Sequence, residues 1–180
     1  MEAALPLLGY LFGCINGAYY TGKVMSGGDI RDHGSSNAGA RNAGRIYGRT
    51  AFFLTVLIDA LKTIIPLGVC QYLLDINIFW LSLTTIAILA GHIWPIQLQF
   101  RGGKGVVVYL AAALMLAPMT LIICGLSLGT GLLIKRNFTV AGLIALISVP
   151  FTLLFMENYQ FTATFFLMLL VVLIAHIRGK

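Results

Sequence analysis

Windows of about 20 predominantly apolar residues, the length that crosses a bilayer, recur along the whole of this 180-residue chain. That pattern limits the possible folds more than any motif does. Hydrophobic residues make up 59% and charged residues only 10%, with a mean hydropathy of +0.93. A domain of this size cannot hide so much apolar surface from water, so its solvent is lipid. There is no Ser/Pro linker, low-complexity tract or internal repeat, and residues 1–180 read as one polytopic membrane domain. The opening stretch MEAALPLLGYLFG lacks a basic leader and carries Glu2, so the first span is expected to remain in the protein. Cys14, Cys70 and Cys124 lie inside apolar stretches without paired spacing and read as small core residues.

Hydropathy places spans near 3–23, 51–73, 77–99, 105–117, 119–134, 138–156 and 159–177. The expected fold is an all-α integral membrane protein of about seven transmembrane helices, two of them short. The connecting segments divide by charge. Lys23, Arg31, Arg41, Arg45 and Arg49 follow span one, and Arg101 with Lys104 follow span three. Lys135 and Arg136 follow span five, and Arg178 and Lys180 close the chain. The opposite ends carry Glu2, Asp75 and Glu157 and no cation. Eleven of the twelve Lys and Arg residues thus share one side, which the positive-inside rule makes cytoplasmic, with the N-terminus outside and the C-terminus inside. Cations flank 105–134 at both ends, so an even number of crossings is expected there: two short helices or a re-entrant hairpin bent at Pro118. The net charge of +6 is therefore topology and headgroup contact in part, and an anion site in part, rather than a nucleic-acid signal.

Two glycine-rich basic segments fall on that side. The first, GGDIRDHGSSNAGARNAGRIYGR at 27–49, is long for a connection. Glycines let backbone N–H groups converge, Ser and Asn add short donors, and Arg grips a phosphate with paired hydrogen bonds. Asn37 or Ser36 is expected to cap a surface helix running into Arg45. The second, GGKG at 102–105, precedes the helix-forming run VVVYLAAAL. Unpaired N–H groups and the helix dipole there favour an anion, and Lys104 adds a full charge. Gly102, Gly103 and Gly105 are expected to keep side chains away from it. This is not a Walker A loop, because Leu98 and Gly105 stand where that pattern needs Gly and Ser or Thr. Within the spans, Asp59 and Lys62 lie three apart and can pair on one helix face, either beside a polar cavity or as a lock between helices. His92 in GHIWP sits where Pro95 interrupts span three, and either lines a pocket or satisfies a freed carbonyl. Asn16 reads as interhelical glue.

GSSNAGARN at 34–42, continued by Arg45, Gly48, Asp59, Lys62 and Pro66, resembles the first signature of the bacterial acyl-phosphate:glycerol-3-phosphate acyltransferases (PlsY type). GHIWPIQLQFRGGKGV at 91–106 resembles their second. The resemblance covers nearly the whole chain. It implies a multi-pass enzyme of the bacterial cytoplasmic membrane, its active site facing the cytoplasm. The implied reaction moves a fatty acyl group from acyl phosphate to the 1-hydroxyl of glycerol 3-phosphate, giving lysophosphatidic acid and phosphate without a cofactor or metal. The implied catalytic residues are Lys104, Arg45, Ser35 and His92, the last as runner-up base to the donor's own phosphate oxygen. The implied substrate-binding set is Ser35, Asn37, Gly39, Asn42, Arg45, Asp59, Lys62, Gly102, Gly103, Lys104, Gly105, Thr139 and His176. Partners are the two substrates and membrane lipids, without nucleic acid; oligomeric state is not legible. The chain departs from the family's pattern at Ser36, Arg41 and Thr139, and its third signature shortens to AHIRGK, with Gly179 where an Asn is expected.

Two other readings compete. A divergent non-catalytic paralogue would keep the fold and lose the reaction. A transporter of an anionic solute would place broken helices near the midplane, whereas the glycines and cations here cluster at one membrane edge. An acyl-CoA acyltransferase is disfavoured, since neither His33, His92 nor His176 begins a His-x4-Asp motif.

Overall fold

The computed structural model describes residues 2–135 and 137–178. Arg136 and the 179–180 tail, where the shortened third signature ends, lie outside the described residues. The described chain is helical throughout: α1 (Leu5–Cys14), α2 (Gly17–Ser26), α3 (Ala40–Tyr47), α4 (Arg49–Gly68), α5 (Ile78–Ile93), α6 (Val106–Leu116), α7 (Thr120–Lys135), α8 (Phe138–Phe155) and α9 (Tyr159–Arg178). Among the described residues, four segments are long and apolar enough to cross a membrane: Arg49–Leu73, Ile78–Leu98, Phe138–Phe155 and Tyr159–Ile177. Val106–Leu116 and Thr120–Ile134 are shorter apolar helices, separated at Ala117–Met119 beside Pro118 as two helices rather than one. Outward side chains of these helices suit lipid: Leu133 of α7 is 84% and Phe155 of α8 87% exposed.

The first span differs from its expected form. It is not one helix but two, broken at Ile15 and Asn16. Ile15 is extended (φ −64°, ψ 102°), and Asn16 caps α2 by accepting from Tyr19 N at 2.8 Å. An Asn side chain that competes for backbone donors favours such a cap over a helix interior.

The core is built around α5 and α6. Ile88 and Leu89 of α5 and Tyr109 of α6 are fully buried. The Tyr109 ring meets Phe165 of α9 edge to face at 5.3 Å, and its hydroxyl donates to Leu146 O of α8 at 3.2 Å. One residue thus ties three helices through apolar area and one hydrogen bond. Along α1 and α5 the backbones touch: a Cβ on Gly91 would overlap Tyr10 O, and one on Gly13 would overlap Ile88 O. Glycine at both places allows the close contact that membrane helices use for dispersion. Cys14, Cys70 and Cys124 are buried and unpaired, as small core residues are.

Candidate active site

The break in the first span leaves carbonyls of Gly13, Cys14 and Ile15 without helical partners in a buried place, which is costly unless other donors reach them. Lys62 of α4 supplies two: its Nζ donates to Gly13 O at 3.0 Å and to Ile15 O at 2.5 Å. Gln97 Nε2 donates to Cys14 O. Asp59, one turn before Lys62, accepts from Gly17 N at 3.1 Å and pairs with Lys62 at 2.9 Å. Lys62 also meets His92 Nδ1 at 2.8 Å. The buried ion pair read from the sequence is therefore real, and it clamps the broken helix. Asn16 extends the clamp by donating from Nδ2 to Ala38 O at 3.0 Å, which anchors the first glycine-rich segment to the break.

That segment is folded by Asn42 of α3. Its Nδ2 donates to His33 O at 3.0 Å and to Ile30 O at 3.3 Å, and its Oδ1 accepts from Ser35 N at 3.0 Å. Gly34 has φ +62°, and its absent side chain makes room for the Asn42 oxygen. On the outer side, Asp29 accepts from Arg31 Nε at 3.0 Å and Nη2 at 2.6 Å. Arg31 Nη1 reaches Leu98 O at 2.6 Å, joining the first glycine-rich segment to the turn that follows α5. The guanidinium beside Asp29 holds its carboxyl below the ordinary aspartate pKa. The expected helix into Arg45 is present as α3, but its N-cap is Gly39 with no side-chain cap; neither Ser36 nor Asn37 takes that role.

The second segment folds back on the end of α5. Gly102 N donates to Ile93 O at 3.0 Å and Gly103 N to His92 O at 3.1 Å. A Cβ at Gly102 would meet the His92 carbonyl, and one at Gly103 the His92 ring. These two glycines pack loop against helix, and their N–H groups are already engaged, contrary to the expectation that they face an anion. Gly105 is different: at φ +83° it starts α6, and a Cβ there would lie 2.5 Å from Leu89 Cδ1.

Between these elements lies a cavity of about 660 Å³, within the range of small-ligand sites. One end is polar: Ser35, Asn37, Gly39, Asn42, Arg45, Asp59, His92, Lys104, Gly105, Thr139 and His176 all line it. The starts of α3 and α6 both contribute wall there, through Ala40 and Val106, and helix N-termini favour anions. Farther along the same helices the wall is apolar, with Ile64 of α4, Leu110 and Leu114 of α6 and Leu146 of α8. A cationic head end joined to an apolar trough fits an amphiphile with an anionic head. Of the expected site residues, Lys62, Gly102 and Gly103 are the ones outside this wall. Asn42 touches it while its amide holds the loop.

Two features lie outside the expected set of site residues. Arg41 also lines the cavity: its Nη1 donates to Thr139 Oγ1 at 2.6 Å, and its guanidinium carbon lies 5.7 Å from the centre of the Phe138 ring. This bridges α3 to α8 across the polar end. The apolar trough carried no signal, because residues facing a cavity and residues facing lipid are equally hydrophobic.

Comparison with known proteins decides the family. A family model described as glycerol-3-phosphate acyltransferase matches residues 3–179. The chain belongs to the glycerol-3-phosphate acyltransferase family. Among curated members, glycerol-3-phosphate acyltransferase 1 of Bacillus thuringiensis subsp. konkukian (strain 97-27) is 37% identical over 183 residues, covering 100% of this chain and 98% of that protein. Glycerol-3-phosphate acyltransferase of Cronobacter sakazakii (strain ATCC BAA-894) is 41% identical over 136 residues, 74% of this chain and 64% of that protein. The crystal structure of PlsY (YgiH), an integral membrane glycerol 3-phosphate acyltransferase, in its glycerol 3-phosphate form, aligns with a TM-score of 0.86. It is 27% identical over 98% of this chain and 88% of that chain. The lysophosphatidic acid form of the same protein aligns with a TM-score of 0.85 at 27% identity, over 97% of this chain and 87% of that chain. Membership in this family accounts for the membrane fold.

Proposed function

We propose that this protein transfers a fatty acyl group from acyl phosphate to the 1-hydroxyl of glycerol 3-phosphate, releasing lysophosphatidic acid and inorganic phosphate at the cytoplasmic face of a bacterial membrane. The observation that carries the reading is that Arg45 and Lys104, from separate glycine-rich segments, wall one cavity that continues into an apolar trough. Relatives named glycerol-3-phosphate acyltransferase over the full chain length support it. So does the clustering of cations with the polar end of the cavity, which the positive-inside rule reads as the cytoplasmic side.

The division of labour follows from the wall. Arg45, Lys104 and the N-termini of α3 and α6 offset the repulsion between two phosphate heads. Ser35, Asn37, Gly39 and Thr139 complete the head site, and His176 meets the glycerol. The trough takes the acyl chain. The glycerol hydroxyl oxygen then attacks the acyl carbonyl carbon, and the bond from that carbon to the phosphate oxygen breaks. The departing phosphate accepts the hydroxyl proton. Acyl phosphate is a mixed anhydride with a good leaving group, so positioning and charge stabilisation carry the rate without a covalent enzyme intermediate. Purified protein in lipid nanodiscs should release phosphate from acyl phosphate only when glycerol 3-phosphate is present. Glycerol 3-phosphate binding without any phosphate release would favour the non-catalytic paralogue, and its accumulation inside proteoliposomes would favour a transporter.

A further inference from the structure

We infer that Lys62 and Asp59 hold His92 as a neutral imidazole whose single ring proton sits on Nε2, and that this N–H is a fixed hydrogen-bond donor to a phosphoryl or acyl oxygen of the bound substrate. His92 therefore acts as a donor and not as the runner-up base that the resemblance implied. Only the identity of the oxygen rests on the acyl-transfer reading; the tautomer does not.

The argument begins at Lys62 Nζ. Around it lie Gly13 O at 3.0 Å, Ile15 O at 2.5 Å and Asp59 Oδ1 at 2.9 Å. All three are acceptor-only oxygens and one is a carboxylate, so Nζ is an ammonium with no lone pair to offer. The fourth neighbour is His92 Nδ1 at 2.8 Å. Two donors cannot share that contact, so Nδ1 is an acceptor, and the three N–H groups of the ammonium are shared among four acceptors. Asp59 Oδ1 lies 3.6 Å from Nδ1, beyond hydrogen-bond range, and gives it nothing to donate to. A neutral imidazole with its lone pair on Nδ1 carries the proton on Nε2.

The ring is also fixed in direction. His92 is 3% exposed. Its carbonyl is held by Gly103 N, and its Nε2 edge lies against Gly103, where a Cβ would collide with it. With Nδ1 turned to Lys62, the Nε2 edge is what remains for the cavity that His92 lines together with Lys104. His176 provides the contrast. Its Nδ1 lies 2.8 Å from Val172 O, which only accepts, so a neutral His176 carries its proton on Nδ1 and presents a lone pair at Nε2. One cavity thus holds a donor imidazole and an acceptor imidazole. During acyl transfer, negative charge builds on the acyl oxygen and on the departing phosphate. A neutral donor pre-oriented by its buried partners stabilises either without exchanging a proton.

The test is nitrogen NMR on 15N-histidine-labelled protein in nanodiscs, with signals assigned through His33→Gln and His176→Gln. The expected spectrum shows His92 as the Nε2–H tautomer, unchanged across the range where a free imidazole titrates. Inorganic phosphate, or an alkyl phosphonate in place of acyl phosphate, should shift its Nε2 resonance and leave the tautomer unchanged. An Nδ1–H tautomer or an imidazolium at His92 overturns the inference, as does a His92 signal that moves with neither ligand. A kinetic arm distinguishes donor from base. His92→Leu should lower kcat by about 10²- to 10³-fold, the usual effect of losing one such donor. His92→Gln, which keeps an N–H, should recover at least about tenfold of that with the wild-type shape of the pH–rate profile. Loss of a pH limb in His92→Gln would mark a base and overturn the proposal. If the wild-type protein releases no phosphate at all, the acyl-transfer reading fails, and the NMR result still decides the tautomer and the phosphate contact.

Discussion

Gly142 of α8 offers a direct way to probe the apolar trough. It lines the cavity, and a Cβ added there meets nothing within 4 Å, so a larger side chain starts out in open space. Replacing a helix-interior glycine also removes about 0.8–1 kcal/mol of unfavourable helix propensity. Gly142→Leu is therefore expected to fold and to melt at or slightly above the wild-type temperature. Its four side-chain carbons occupy space that an acyl chain would use, displacing about three methylenes. At about 0.8 kcal/mol per buried methylene, the loss is about 2.4 kcal/mol, or about fiftyfold in the KM of a long-chain acyl phosphate. A donor too short to reach Gly142 should lose much less. The assay is phosphate release across a series of acyl phosphates of increasing chain length. An equal loss at every length, or none at the longest, would refute the assignment of this trough to the acyl chain.

Other outcomes follow from the polar end and its supports. Lys104→Ala should weaken glycerol 3-phosphate binding by about 10- to 150-fold, from the loss of charge-assisted bonds contributing about 1.5–3 kcal/mol, as read by calorimetry in nanodiscs. Lys62→Met leaves the Asp59 carboxylate buried and unpaired and should destabilise the protein by about 3–5 kcal/mol; thermal unfolding in detergent should show partial recovery in the Lys62→Met, Asp59→Asn double variant. Arg41→Ala removes the bond to Thr139 and the contact with Phe138, and faster amide exchange at the start of α8 should report it. The Asp29 carboxyl is held below its ordinary pKa mainly by its hydrogen bond to Arg31. Its stabilisation is thus complete above the unfolded value and disappears as pH falls through the lower folded one. Exchange in 27–35 should rise only in that acid window and stay flat around neutrality.

The sequence was legible where physical chemistry leaves few options. Apolar windows and charged connections marked the long helices, and the cations flanking 105–134 called for two short helices or a hairpin bent at Pro118; the segment folds as α6 and α7, separated beside Pro118. The Asp59–Lys62 pair followed from a three-residue spacing, but its purpose did not. That purpose depends on carbonyls of Gly13 and Ile15 more than forty residues away, freed by a break that apolar composition conceals. Asn16 was the local signal of that break, since its side chain caps α2, yet within an apolar run it reads equally as contact between helices. Gly102 and Gly103 misled for a related reason. A glycine that admits a ligand and one that admits a neighbouring helix look alike until the His92 carbonyl is seen beside them. Arg41 was visible as a departure from the family pattern, while its partner Thr139 lay 98 residues away.

The account depends on Arg45 and Lys104 gripping anionic heads within one shared site. A double-mutant cycle measures this most directly: glycerol 3-phosphate affinity for wild type, Arg45→Ala, Lys104→Ala and the double variant in the same nanodiscs. Residues acting on one bound head should be coupled by about 0.5–3 kcal/mol. Strictly additive losses, or an unchanged affinity in either single variant, would mean that the two cations serve separate places, and the shared site would be disproved.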